Sequence, residues 1–264
     1  MTTGFVGACG RFTVATANKL VEFLRNIARI TYLICSTVVR LPLFAKNISI
    51  SIEQMYSIGL GSLPLVSIIA VFLGAETVIQ AEYQFRNIIP MKYLGTAVCK
   101  SIINELGPVV TSLVVSGRVA TAIAAEIGSM KTTEQLDAMT ILNLDPIRYL
   151  VVPKTIACII MVPMLVIWAE MLAIAGSVVT VALSLDVTMY VYTTGLKLFF
   201  TPVDIYMGVA KSMVFGAIIA VTGCYFGYEA RGGAAGVGNA TTRAVMTSAV
   251  LILIFDFCIA ALFW

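Results

Sequence analysis

The sequence predicts an all-α membrane protein, with an N-terminal amphipathic interfacial helix, five transmembrane helices and a short cytoplasmic helix between spans two and three. Of its 264 residues, 59% are hydrophobic and 12% are charged, whereas an ordinary soluble domain has about 25% charged residues. The mean hydropathy of +0.98 is an average over the whole chain, so no single apolar segment accounts for it. These values exclude a soluble globular enzyme, a disordered chain and a disulfide-rich secreted module.

Five segments are long and apolar enough to cross a bilayer, which takes about 20 residues in a helix. They are predicted at residues 55–74, 93–116, 155–185, 205–228 and 242–264. A cytoplasmic N-terminus with the interfacial helix is assigned to residues 1–50, and the five-span domain to residues 51–264. With the N-terminus inside, the cytoplasmic segments carry 12 of the 17 basic residues and the outer loops carry three. This excess predicts that the C-terminus lies outside.

Residues 16–46 are predicted to form an amphipathic helix rather than a sixth span. Their charged positions recur at spacings of three and four residues, at Lys19, Glu22, Arg25 and Arg29. The complementary face is apolar and comprises Leu20, Phe23, Leu24, Ile27, Ile30, Leu33 and Ile34. A basic amphipathic helix of this kind lies in the cytoplasmic interface of the membrane. A helix packed on a partner protein is the alternative.

Residues 117–154, between spans two and three, form the most polar segment of the chain. Thr132 and Gln135 have the spacing of a capping box, which predicts a short helix through the sequence EQLDAM that ends before Asn143. A short exposed helix on the cytoplasmic side either docks a motor subunit or is an ordinary connection. The pattern favours neither.

Four of the ionisable residues inside the predicted spans are informative, namely Glu105, Glu170, Lys211 and Asp256. A charge at the centre of a bilayer costs ~2.5–3.5 kcal/mol, so these side chains must pair, or face water or a polar ligand. From their distances to the outer loops we expect a polar cluster in the outer half of the membrane, with one cation among carboxylates. Such a cluster suits a cavity for a polar or zwitterionic head group. Interhelical salt bridges and a proton relay are the alternatives.

The chain lacks the motifs of self-contained catalysis. It has no G-x-x-x-x-G-K-[ST] sequence, no G-x-S-x-G sequence and no histidine, so neither a P-loop nor a Ser–His hydrolase is expected. None of the six cysteines forms a CxxC pair, and neither a metal site nor a catalytic residue is assigned. The glycine-rich segment RGGAAGVGNATTR, residues 231–243, is interpreted as a flexible cytoplasmic turn. A net charge of +3 does not indicate nucleic-acid binding.

The sequence ELGPVVTSLVVSGRVATAIAAEIGSMKTTEQLDAM resembles the MlaE/YrbE permease family, the membrane subunits of MCE-type ABC lipid transporters. The resemblance continues through LDPIRYLVVPK, Lys211-Ser212, ATTRAV and FDF, from about residue 54 to residue 263. It implies that the five-span domain is a permease domain.

The resemblance implies roles for individual residues. Glu105, Lys211 and Asp256 match polar residues that line the lipid pocket in the family. Asn104 is assigned to the substrate site with them, although bacterial relatives often have arginine at its position, a departure that leaves the substrate open. Residues 126–139 would include the coupling helix, seated in a groove of the ATPase subunit, and the implied coupling residues are Glu126, Lys131, Glu134, Gln135 and Asp137.

The resemblance also implies partners. They are a second copy of the chain, two ABC ATPase subunits, an MCE-domain protein on the outer face and, in some systems, a STAS-domain protein. The chain itself would be a non-catalytic subunit without a cofactor, because ATP and Mg would bind the ATPase. It would lie in the bacterial cytoplasmic (inner) membrane, with a periplasmic C-terminus. Its cargo would be phospholipid, and in a Gram-negative cell this transport would maintain outer-membrane lipid asymmetry. A sterol or other lipid importer of the same family and a proton-coupled secondary transporter are the alternatives.

Overall fold

The computed structural model describes residues 25, 28–40, 48–86, 88–184, 187–198 and 201–263. Most residues in these ranges are helical, and none of them lies in a β-strand. Five helical stretches are long and apolar enough to cross a membrane: Ile48–Phe85, Met91–Thr132, Ile147–Leu183, Pro202–Tyr228 and Gly233–Leu262. The prediction of an all-α membrane protein with five spans is therefore confirmed.

Nine α-helices are described, two of which are preceded by a turn of π-helix. The α-helices are α1 (28–40), α2 (Ile48–Phe85), α3 (Leu94–Ser101), α4 (Gly107–Thr132), α5 (Gln135–Ile141), α6 (Val152–Ser184), α7 (Met189–Leu198), α8 (Pro202–Tyr228) and α9 (Gly233–Phe263). The π-helical turns are Ile102–Leu106, before α4, and Ile147–Val151, before α6. A short 3₁₀-helix, Met91–Tyr93, precedes α3.

Several helices extend well past the predicted spans. Helix α2 has 38 residues and is about 57 Å long, whereas the hydrocarbon core is about 30 Å thick. Helix α9 begins at Gly233 rather than at residue 242, so most of the predicted glycine-rich turn is helical. The turn is confined to Gly232 and Gly233, whose φ angles of +90° and +68° favour glycine.

The helices pack through small residues at their crossings. Helix α2 lies along α6, while α4 packs against α8 and α9. At the α2–α6 crossing, a Cβ on Gly176 would meet the carbonyl of Val71, and one on Gly74 would meet that of Ala173. Close backbone approach at small residues is typical of membrane helices, which gain van der Waals contact from it.

The bundle has two ends, which position the polar groups described below. Helix α5 and the start of α2 lie at one end, called the α5 end. Helix α7 and the start of α8 lie at the other, called the α7 end. There the hydroxyl of Tyr192 is fully buried and donates to Ser177 Oγ at 2.8 Å. Burial raises the pKa of Tyr192 to about 12.

The predicted short helix is present as α5, although its cap differs from the prediction. Glu134 precedes the helix with a φ of 61°, and no side chain caps the helix N-terminus. The Thr132 hydroxyl instead donates to the carbonyl of Ser129 at 3.1 Å, within the last turn of α4. Asn143, with a φ of 59°, follows the helix in the left-handed conformation that commonly ends helices.

Helix α1 confirms part of the predicted amphipathic helix, and residues 16–24, 26–27 and 41–46 of that prediction lie outside the described residues. Its buried face includes Leu33 and Thr37. Arg40 Nε lies 2.6 Å from Asp145 Oδ2, and Arg29 Nη1 lies 2.8 Å from Glu229 Oε1. Helix α1 is thus joined to the rest of this chain at the α5 end.

Candidate functional site

A buried lysine lies at the centre of a polar cluster between three helical segments. Lys211, on α8, has a side chain only 1% exposed. Its Nζ lies 2.9 Å from Glu105 Oε1 and 2.9 Å from Asp256 Oδ1, and it donates to the backbone carbonyl of Asn104 at 3.1 Å. The structure therefore brings together three of the four ionisable residues identified from the sequence. They form one cation between two carboxylates.

The local backbone explains why Asn104 offers its carbonyl. In an α-helix that carbonyl would accept a hydrogen bond from residue 108, but Pro108 has no N–H. The preceding residues form a π-helical turn, in which the N–H of Gly107 donates to the carbonyl of Ile102. The Lys211 ammonium takes the place of the missing donor. Proline four residues after Asn104 was a sequence signal for this contact.

The two carboxylates of the cluster differ in exposure. The side chain of Asp256 is 17% exposed, whereas that of Glu105 is 46% exposed. Lys211 is thus shielded, and the Glu105 carboxylate provides the open face of the cluster. This face can accept hydrogen bonds from a positively charged group, and the ammonium beneath it fixes the position of the carboxylate.

The Asn104 side chain points to a second polar group, at the start of α8. Its Nδ2 lies 3.4 Å from Asp204 Oδ1, and Lys100 Nζ lies 3.8 Å from Asp204 Oδ2. Asp204 also accepts from the hydroxyl and the backbone N–H of Thr201, in a capping box. Sequence reasoning missed Asp204 and Thr201, although their spacing of three residues is a known helix-start signal.

Glu170 is buried close to the cluster but is not joined to Lys211. It packs between two glycines, since a Cβ on Gly107 would lie 2.7 Å from its Cγ and a Cβ on Gly208 would lie 3.4 Å from its Oε1. Neither a hydrogen bond nor an ion pair links Glu170 to another described residue. Its role differs from that of the other three ionisable residues.

The residues expected to couple to an ATPase fall into two places. Glu126 is half exposed on α4, and its Oε2 lies 2.6 Å from the Nζ of the buried Lys154. Lys154 is 1% exposed and also donates to Gln54 Oε1 at 3.1 Å. Sequence reasoning counted Lys154 among the loop charges and overlooked Gln54, because only the packing of α2 beside α6 places them together.

The other coupling residues lie around α5. Lys131 Nζ is 3.1 Å from Asp137 Oδ1, and Glu134 and Gln135 are exposed at the start of the helix. Leu136 is buried and anchors α5 to the bundle. Two large apolar side chains are exposed beside these charges, Ile141 at 85% and Leu142 at 71%. Exposed apolar side chains next to charged ones are typical of protein interfaces.

Comparison with known proteins gives consistent matches along the chain. The family described as permease MlaE matches residues 51–262. A probable ABC transporter permease protein of Rickettsia bellii is 38% identical over 265 residues, which cover 100% of this chain and 99% of that protein. A probable ABC transporter permease protein of Synechocystis sp. is 40% identical over 78% of this chain and 79% of its own length. One of Porphyra purpurea is 33% identical over 87% of both chains.

Proposed function

The chain belongs to the MlaE permease family and is a permease subunit of an ABC transporter, and from this premise we propose that it moves phospholipid between the cytoplasmic membrane and a channel formed by an MCE-domain protein. The observation that carries the proposal is the cluster around Lys211. A buried cation held by two carboxylates inside membrane-spanning helices marks a polar substrate path. The half-exposed Glu105 gives that path a group that can contact a head group.

The cluster suits a zwitterionic head group. The Glu105 carboxylate accepts from an ammonium group of the lipid, while Lys211, which is itself paired with Asp256, holds that carboxylate in place. The acyl chains remain against the apolar faces of the spans. The Asn104 side chain is directed at Asp204 rather than at the cluster, so it takes no part in this contact and its backbone carbonyl fixes Lys211.

Helix α5 provides the contact with the ATPase in this proposal. Glu134, Gln135 and Asp137 form its charged face, and Ile141 and Leu142 form the apolar tip. ATP and Mg bind the ATPase subunits, and their closure pushes on α5. Movement of α4 then changes the position of Glu105, because α4 begins directly after the π-helical turn that contains this residue. The chain itself is non-catalytic.

We propose the assembly that the family resemblance implies. Two copies of the chain combine with two ATPase subunits at the α5 end and an MCE-domain protein at the α7 end, with a STAS-domain protein on the ATPase in some systems. The α5 end is then cytoplasmic and the C-terminus periplasmic, in the bacterial inner membrane. In a Gram-negative cell this activity would maintain outer-membrane lipid asymmetry.

The test is native mass spectrometry with lipid extraction, on protein purified gently through a tag on this chain. We expect ATPase and MCE-domain subunits to co-purify with stoichiometric phospholipid. Lys211→Ala should reduce the bound phospholipid, whereas Lys197→Ala, at an exposed position on α7, should not. A complex that carries sterol or no lipid, or equal phospholipid in both variants, would contradict the proposal.

A further inference from the structure

Two separate grooves lie between α2 and the segment that contains α3 and α4. The first groove, near the α7 end, has a volume of about 380 Å³, and α2 contributes Glu76, Gln80 and Gln84 to it. Their spacing of four residues places them on one face of the helix. Ser101 and Leu106 form the opposite wall. Because Leu106 follows Glu105 in the same π-helical turn, this groove adjoins the Lys211 cluster.

The second groove, of about 50 Å³, lies towards the α5 end. Gln54 and Ser57 line it from α2, Arg118 and Glu126 from α4, and Lys154 from α6. The exposed face of α4 in this region is polar or made of small residues, and it includes Ala122. Charged and polar groups on an exposed face inside a bilayer are unfavourable next to acyl chains. The second groove therefore suits water or a polar ligand.

Arg118 lines this second groove, between the two ends of α4. It is about 17 Å along α4 from Gly107 and about 21 Å from Thr132. Its Nη1 donates to Ser62 Oγ at 2.8 Å and to the Ser57 carbonyl at 3.4 Å. Both acceptors are uncharged. Across the described ranges of the chain, no carboxylate lies within 4 Å of the Arg118 guanidinium.

Arg118 differs in this respect from the two buried lysines. Lys211 contacts two carboxylates and Lys154 contacts one, so their charges are neutralised within the protein. The Arg118 guanidinium lies against Gly61, where a Cβ would overlap it. Arg118 is nevertheless an exposed residue. A cation with free donors therefore lines the second groove.

We infer that Arg118 binds the phosphate of a phospholipid head group in the second groove, between α2 and α4. A guanidinium matches phosphate in geometry and donates two parallel hydrogen bonds to it. The Nη2 and Nε groups, which donate to none of the described residues, provide these bonds. Arg118 is then an intermediate lipid-binding residue between the α5 end and the Lys211 cluster. This role rests on the proposed function.

The test is photocross-linking in the complete permease–ATPase complex, reconstituted in phospholipid bilayers. A benzoylphenylalanine at Ala122, one turn from Arg118, reports on the second groove. A benzoylphenylalanine at Ile160, an exposed position at similar depth on α6, reports on ordinary lipid contact. The probes are ³²P-labelled phosphatidylglycerol and a ¹⁴C-labelled diacylglycerol with the same acyl chains but without phosphate.

We expect the residue at position 122 to prefer phosphatidylglycerol over diacylglycerol, and the residue at position 160 to show no preference. Arg118→Gln should lower the phospholipid cross-link at position 122 about tenfold, because a charged hydrogen-bonding partner is lost, and Arg118→Lys should retain much of it. Size-exclusion elution and basal ATPase activity of each variant verify that the complex is intact.

Three outcomes would overturn the inference. An unchanged cross-link in Arg118→Gln would show that Arg118 only joins α2 to α4. Loss of the cross-link in excess inorganic phosphate would assign the site to a free anion rather than a head group. Equal cross-linking of diacylglycerol would show that phosphate is not recognised. If the wild-type complex still carries stoichiometric phospholipid, each result refutes the role of Arg118 and leaves the proposed function intact.

Discussion

Replacing Lys211 by methionine tests the energetic role of the central cation. Met conserves the length of the side chain but leaves the Asp256 carboxylate without its cation and the Asn104 carbonyl without its donor. Removing one partner of a buried ion pair costs about 3–5 kcal/mol. We expect the lower end of this range, roughly 3 kcal/mol, because Glu105 is half exposed and water can replace its contact.

The assay is thermal unfolding in detergent, followed by tryptophan fluorescence. A loss of 3 kcal/mol corresponds to a fall in Tm of about 6–12 °C for a chain of this size. The double variant Lys211→Met/Asp256→Asn should recover at least about 1 kcal/mol, because it also removes the stranded carboxylate. Both variants should lose bound phospholipid, because neither has the Lys211 ammonium that holds Glu105 in place. The second substitution restores stability only.

Lys100→Met is the matched control for this change. Lys100 is 41% exposed and lies 3.8 Å from its partner Asp204, so its removal should cost less than about 1 kcal/mol. The reasoning is refuted if Lys211→Met unfolds at the wild-type temperature, or if the double variant is no more stable than the single one. Either result would mean that Lys211 does not neutralise Asp256.

Three further predictions concern other parts of the chain. Pro108→Ala should reduce bound phospholipid, as measured by lipid extraction, because a restored N–H competes with Lys211 for the Asn104 carbonyl; unchanged lipid would contradict this geometry. Glu134→Lys and Asp137→Lys should leave membrane insertion intact but uncouple ATP hydrolysis from lipid transport in reconstituted complexes, and normal transport would refute the role of α5. Lys154→Met should lower the Tm in detergent, as Lys211→Met does, because Lys154 is fully buried at the junction of α2, α4 and α6; a cost below about 1 kcal/mol would show that Glu126 and Gln54 need no cation.

The sequence was sufficient for the spans and for the central cluster. Apolar windows of about 20 residues have few alternatives to a membrane helix, and charges inside them have to find partners. Lys211, Glu105 and Asp256 could therefore be grouped from their depths alone. Five spans and a short helix after span two required no knowledge of tertiary contacts.

Contacts that depend on which helices are neighbours could not be predicted. Lys154 lies at the edge of a predicted span and had the pattern of a loop charge, and only the packing of α4 beside α6 places it next to Glu126. Arg118 was assigned to a cytoplasmic segment because the predicted span ended at residue 116, whereas α4 continues to Thr132. Hydropathy predicts only the apolar part of a helix. It does not show where the helix ends, because backbone hydrogen bonding continues through polar residues.

The π-helical turn at Ile102–Leu106 also limits how this region can vary in length. A π-helical turn holds one residue more than an α-helical turn, so the faces of α4 are offset from those of α3 by about 100°. Deleting one residue here would allow a regular helix, but it would rotate every position of one segment relative to the other. Ser101 and Arg118 could then no longer both face α2. Substitutions should be tolerated in this turn far more readily than a single insertion or deletion.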